Sequence, residues 1–223
     1  PGGADLENPD RVQSTNELNA FTAAFKATNR LARLSGSQYV LEVGPDLWPF
    51  PIPIVKQGAR WFFDTEVGKD ELLGRRIGQN ELTTLAVMRA YVDSQREYAA
   101  EDRDGDDVLE YAQRMSSSPG KTDGLYWPAE LIDKVSPLGA WLDDAQSEGY
   151  FADPGATDAG PQPFHGYLFK ILTCQGRHAP GGKYDYIING NMITGFALVA
   201  WPAEYGVSGV MTFIVNQQGR VYQ

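Results

Sequence analysis

The chain has 223 residues, enough to bury a substantial core as one large domain or two small ones. Hydrophobic residues make up 42% and charged residues 22%, the balance of a folded protein rather than a disordered one. Its net charge of −10 repels phosphate backbones and anionic lipid, and no basic cluster larger than Arg75–Arg76 interrupts that field, so nucleic acid is not an expected partner.

Residues 1–15 are rich in Gly, Pro, Asn and Asp and read as an irregular lead-in. From Thr15 the positions Leu18, Phe21, Phe25, Thr28, Leu31 and Leu34 recur at three- and four-residue steps, which predicts an amphipathic helix capped by Ser14 or Thr15 and ended at Ser35-Gly36-Ser37. Tyr39–Val43, Ile52–Lys56 and Arg60–Thr65 are β-branched and aromatic, with Gln57-Gly58 as the turn of a hairpin between the last two. Trp48-Pro49-Phe50-Pro51-Ile52-Pro53 is a stiff extended lead into that hairpin, because proline fixes φ and biases its predecessor away from helix.

Residues 69–101 predict a second, long helix with Leu73, Ile77, Glu81, Leu85, Met88, Val92, Gln95 and Ala99 on one stripe. Gly74 and Gly78 weaken its beginning, so it is expected to start as two pieces. From Val108 to Pro163 the chain is punctuated by turn pairs, with a short helix over Leu138–Gln146. Strands follow at Tyr167–Thr173, Tyr184–Ile188, Gly195–Trp201, Val210–Asn216 and Arg220–Tyr222. Asn189-Gly190 is the strongest two-residue hairpin signal, and Gln217–Gly219 closes a second hairpin. A long helix followed by strands joined through short turns predicts an α+β fold, a helix layered on an antiparallel meander. The expected division is a small helix-and-hairpin region over residues 1–66 and an α+β domain over residues 67–223.

The lone Cys174 excludes an intrachain disulfide and a thiolate zinc site, and its setting in FKILTCQ predicts a buried, inert thiol. No apolar stretch approaches the ~20 residues needed to cross a bilayer. One segment points to a specific chemistry: Glu101, Asp102, Asp104, Asp106 and Asp107 crowd the turn after the long helix, and Glu110 closes it. Alternating Asp102, Asp104 and Asp106 can fold carboxylates around one centre, with Glu110 as a fourth ligand, and calcium is the hard cation that such a flexible oxygen-rich loop suits. The spacing is not that of an EF-hand, because Gly105 and Glu110 both come too early. The competing reading is a solvated helix end, with Gly105 at positive φ and the aspartates making local turns.

Other motifs carry little. His165 and His178 sit at strand edges among Gly, Pro and aromatic residues and read as surface or satisfied histidines. Gly206-Val207-Ser208-Gly209 is half a nucleophile elbow without the strand–turn–helix around it, and Ser118-Pro119-Gly120-Lys121 has a spacing that its proline and glycine make meaningless. Trp127, Trp141, Trp201 and Tyr205 read as core, or as walls of a ligand pocket between the sheet and the aromatic loops of residues 119–163.

The segments WPFPIPIVKQGARWFFDT, GKDELLGRRIGQNEL, AYVDSQREYAAEDRDGD and ITGFALVAWPAEYGVSGVMTFIVNQQGRVYQ resemble a bacterial envelope family catalogued as domain of unknown function 2950. The resemblance covers the chain from about Asn16 onward. It implies an export signal and a periplasmic or cell-envelope location, and it carries over no catalytic residue. It also implies a further helical segment ahead of the part matching Pro1–Asp10; without it, Leu18, Phe21 and Phe25 are expected to be exposed. Residues 69–223 also resemble the globular part of type IV pilins and pseudopilins, in which a spine helix packs on a meander and some members hold calcium. The charged start Lys69-Asp70-Glu71 departs from the apolar half-helix of pilins. Together these readings lead to a non-enzymatic interaction or scaffolding module with a protein partner or self-association. The alternative is a small-ligand-binding or hydrolytic envelope protein.

Overall fold

A computed structural model describes residues 7–128, 135–150 and 162–223. The fold is α+β, built from helices and antiparallel sheets. It divides into two compact units: Pro1–Glu81 with Pro163–Gly166 and Pro202–Val210, and Leu82–Gln162 with Tyr167–Trp201 and Met211–Gln223. The division expected at residue 66 follows the chain, whereas these units interleave along it.

In the first unit, helix α1 spans Arg11–Ala27. Its cap is Asp10, whose carboxylate accepts a hydrogen bond from the Gln13 N–H at 2.9 Å, so the helix begins four residues ahead of the expected Thr15. It also ends sooner. Asn29–Arg33 is strand β1, paired along its whole length with β2 (Gln38–Val43), and the helical spacing of Leu31 and Leu34 is overridden by that ladder. Strand β3 (Trp48–Pro49) pairs with the end of β2, and β4 (Ile54–Gln57) and β5 (Arg60–Phe63) form the expected hairpin. Gly58 turns it at φ +60°. The sheet order is β1-β2-β4-β5 with β3 on β2. Leu41, Val43 and Ile52 are its buried apolar residues. Phe21 and Phe50 pack at 5.3 Å, whereas Leu18 and Phe25 are exposed.

Helix α2 runs from Thr65 to Tyr98 without a break. A Cβ on Gly74 or Gly78 would meet nothing within 4 Å, so their cost is the backbone entropy of glycine alone, and the expected two pieces are one helix. Gly68 is different: an added Cβ would lie 2.6 Å from the Ile52 Cα, so only glycine lets this turn approach the residue 52 backbone.

The second unit contains the C-terminal part of α2, the short helix α3 (Gly139–Ser147) and the remaining strands. Strands β6 (Tyr167–Leu172), β11 (Ala197–Pro202), β12 (Phe213–Asn216) and β13 (Val221–Tyr222) form one antiparallel sheet in the order β13-β12-β11-β6. The expected strand over Tyr184–Ile188 is two: β8 (Tyr184–Asp185) pairs with β7 (Cys174–Gln175), and β9 (Ile187–Ile188) pairs with β10 (Asn191–Met192). Asn189 and Gly190 turn the latter hairpin at φ +53° and +98°. Leu198, Ala200, Phe213 and Val215 are buried on one face of the sheet; on the other Ile214 is exposed, although Ala197 is buried. Met88, Tyr91 and Val92 of α2 share that core with Leu125, Trp127, Leu142, Tyr167 and Phe196. Burial raises the Tyr91 hydroxyl far above its ordinary pKa, which keeps it a neutral donor and acceptor.

Cys174 corrects an expectation. It is exposed, because β7 pairs only as a two-residue ladder outside the four-stranded sheet.

Candidate functional site

The acidic turn follows α2 and is organised around one carboxylate. One Asp102 oxygen accepts from the Gly105 N–H at 2.8 Å and the Asp104 N–H at 3.3 Å, and the other accepts from the Asp107 N–H at 2.9 Å. Gly105 and Asp107 adopt φ of +80° and +64°, which curls the backbone so that those amides point inward. The amide bonds from Gly105 and Asp107 hold the Asp102 carboxyl below its ordinary value. The sign is that of a depressed acid: the loop contacts are fully present above the usual carboxylate range and are lost only as pH falls through the lowered value.

Asp106 is held at both oxygens as well. Oδ1 accepts from the Val108 N–H at 2.8 Å, and Oδ2 accepts from Asn191 Nδ2 at 2.7 Å. Each Asp106 oxygen keeps a second lone pair, so these bonds leave capacity for a ligand. One oxygen from each of Asp102, Asp104 and Asp106 lies within 4.8 Å of the others. Ligands bound at about 2.4 Å to one calcium ion are separated by up to about twice that distance, so the three fit a shared ion. Glu110 is not in this group. Its Oε2 accepts from the Met192 N–H at 3.0 Å and from Gln113 Nε2 at 3.5 Å, which ties it to β10. All three aspartates are exposed, so such a site would keep water among its ligands.

A second polar constellation lies in the first unit, and no sequence motif announced it. Asp10 caps α1 with one oxygen and accepts from the Gly166 N–H with the other at 3.0 Å. Gln13 Nε2 donates to Asn80 Oδ1 at 2.7 Å, and Asn80 Nδ2 donates to the Ser208 carbonyl at 2.8 Å. Asp10, Gln13, Asn80 and Ser208 are all buried. The bonds form a clasp joining the start of α1, the middle of α2 and the loops at residues 166 and 208. Glu17, Arg76 and His165 stand nearby: burial raises the Glu17 carboxyl, Arg76 draws it back down, Asp10 pushes it up and His165 lowers it. Burial likewise lowers Arg76, and Glu17 raises it. The arrangement is a satisfied structural network, since its carboxylate and both amides are engaged by protein partners. An Asn-x-Asp pair just before a helical pattern was the only local signal for any part of it.

The remaining candidates resolve simply. Ser208 exchanges its hydroxyl bonds with Glu204 of its own loop, so Gly206–Gly209 is a turn and not a nucleophile elbow. Ser118 Oγ donates to Asp123 at 2.8 Å. His178 is exposed and accepts from Arg177 Nε, and His165 is half-buried against the Phe164 ring at 4.4 Å. Trp127 is buried in the second unit's core and faces the Arg103 guanidinium at 5.4 Å. No described helix is long and apolar enough to cross a membrane.

Comparison with curated proteins and with solved structures gives no match. Residues 2–223 match the family described as "Protein of unknown function (DUF2950)", and the chain therefore belongs to that family.

Proposed function

We propose that this chain is an exported cell-envelope protein, a non-enzymatic interaction or scaffolding module on a pilin-like α+β fold, with calcium held in the acidic turn. The observation that carries the ion part is the convergence of Asp102, Asp104 and Asp106 within 4.8 Å on a loop already curled by its own amides. Three exposed carboxylates make a weak site, in the millimolar range that suits extracellular calcium and not the cytosol. Supporting the pilin-like element is the packing of the C-terminal part of α2 in one core with β11 and β12. Supporting the interaction role are the exposed aromatic side chains of the first unit, Trp48 with Trp61, Phe62 and Phe63 on the two faces of β5, a density of apolar surface that marks contact sites.

Calcium at several times its dissociation constant is expected to raise the melting temperature by about 3 °C, with magnesium less effective and the Asp104→Asn/Asp106→Asn variant unresponsive. An unchanged melting temperature at ten times physiological calcium sinks the ion part. Fractionation of the full-length protein in its native cells tests the location, and recovery in the cytosol alone would refute it.

A further inference from the structure

We propose that β5 is a self-pairing edge through which two copies of this chain join their first-unit sheets into one continuous antiparallel sheet. The inference stands whether or not the acidic turn takes calcium, because β5 and that turn belong to different units.

The ladder between β4 and β5 fixes which backbone groups are engaged. Gln57 pairs with Arg60 and Val55 with Phe62, and the Asp64 N–H donates to the Pro53 carbonyl at 2.8 Å. Residues 60, 62 and 64 therefore turn their amides and carbonyls toward β4. Trp61 and Phe63 turn theirs the other way. Among the described residues no strand pairs with that second edge. The strand is lightly protected: it has no proline or lysine, it has no bulge against β4, all four of its residues are exposed, and its one charged side chain, Arg60, stands at its start. The opposite edge, β1, carries two arginines, Arg30 and Arg33, where β5 has one.

The sequence Arg60-Trp61-Phe62-Phe63-Asp64 complements itself when reversed. With a two-fold axis at Phe62, Trp61 of one copy lies opposite Phe63 of the second as a hydrogen-bonded pair, using the outward-facing groups on both. Phe62 then meets its own counterpart across the axis as a non-hydrogen-bonded pair, where side chains come closest. Arg60 falls opposite Asp64 at both ends. A one-residue shift loses both ion pairs and turns inward-facing amides to the partner, so charge and hydrogen bonding select the same register. This geometry is isologous and closes at a dimer. Tyr39 packs edge-on to Trp61 at 5.2 Å and Phe50 to Phe63 at 5.9 Å, so the aromatic side chains on that face are already braced for the contact.

Sedimentation equilibrium of the whole chain should show a mass rising with concentration toward twice that of the monomer. Arg60→Asp and Asp64→Lys should each weaken association by about tenfold, because each replaces two attractive cross-strand pairs with two repulsive ones. An equal mixture of the two variants should recover it. In the mixed dimer the aspartate introduced at position 60 faces the lysine introduced at position 64, and the unaltered Asp64 of the first variant faces the unaltered Arg60 of the second. Asp64 also lies 3.5 Å from the Val67 N–H at the start of α2, so helical circular dichroism must accompany the Asp64 variant; Arg60→Asp touches no such cap. In a Cys174→Ser background, Phe62→Cys should cross-link on mild oxidation, because the pair straddles the axis at close Cβ separation. A mass that stays monomeric at every concentration overturns the proposal. So does association unaffected by either charge reversal, or a Phe62→Cys chain that does not cross-link.

Discussion

Gly166→Ala is expected to destabilise the first unit by about 3–5 kcal/mol. Gly166 has φ +74°, a left-handed conformation that costs an L-residue roughly 1–2 kcal/mol. The added Cβ would sit 2.4 Å from Asn80 Nδ2 and 2.9 Å from the Ser208 Cβ, both of them buried. Neither can retreat cheaply, because Asn80 is fixed at both ends by Gln13 and the Ser208 carbonyl. Overpacking of this kind costs about 1–3 kcal/mol, and the displaced amide also loses its bonds inside the clasp. Urea unfolding followed by the fluorescence of Trp48 and Trp61, with the second unit's tryptophans replaced by phenylalanine, reads the effect. A loss below about 1 kcal/mol would mean that the loop at residue 166 yields without strain.

Gln95→Leu is expected to cost about 3 kcal/mol in the second unit despite replacing a polar side chain with an apolar one in a core. Gln95 is fully buried. Its Oε1 accepts from the Ala112 N–H at 2.8 Å, while Nε2 donates to the Ala112 carbonyl at 2.8 Å and to the Tyr91 hydroxyl at 3.0 Å. One side chain thus completes both backbone bonds of an irregular segment that has no strand partner there. Leucine fills the space and leaves an amide and a carbonyl buried without partners, at about 1–3 kcal/mol for each unsatisfied group. Hydrogen exchange provides a local readout: the Ala112 amide should be strongly protected in the parent and should lose that protection in the variant. Protection that persists would show that another acceptor takes over.

Local signals in the sequence were sound where the determinant was itself local. Asn189-Gly190 is a hairpin turn because its two residues adopt positive φ, and the hairpin at Gly58 turns on that glycine's positive φ alone. The start of α1 was misplaced because Asp10, Ser14 and Thr15 are all competent caps; burial of Asp10 against the Gly166 amide decides between them. Leu31 and Leu34 keep a helical rhythm, yet the pairing of Asn29–Arg33 with Tyr39–Val43 outweighs it. In the acidic turn the convergence of Asp102, Asp104 and Asp106 was legible from alternation, whereas Glu110 is drawn away by an amide 82 residues later. The clasp could not be read at all. Its bonds join residues 67, 128 and 156 positions apart, and no local pattern links its members to one another.

The segment from Asp106 to Gln113 grips a single hairpin turn at successive points: Asp106 takes the Asn191 amide, Glu110 takes the Met192 N–H, and Gln113 Nε2 donates to the Gly190 carbonyl at 2.5 Å. Met192 is itself fully buried in the second unit's core. The most highly charged stretch of the surface is thus one covalent step and one hydrogen bond away from the interior. Any cation, proton or partner that draws Asp106 toward itself pulls on Asn191 and so on its neighbour Met192. The turn is in that sense a lever whose short arm ends in the core, and its chemistry is felt as packing.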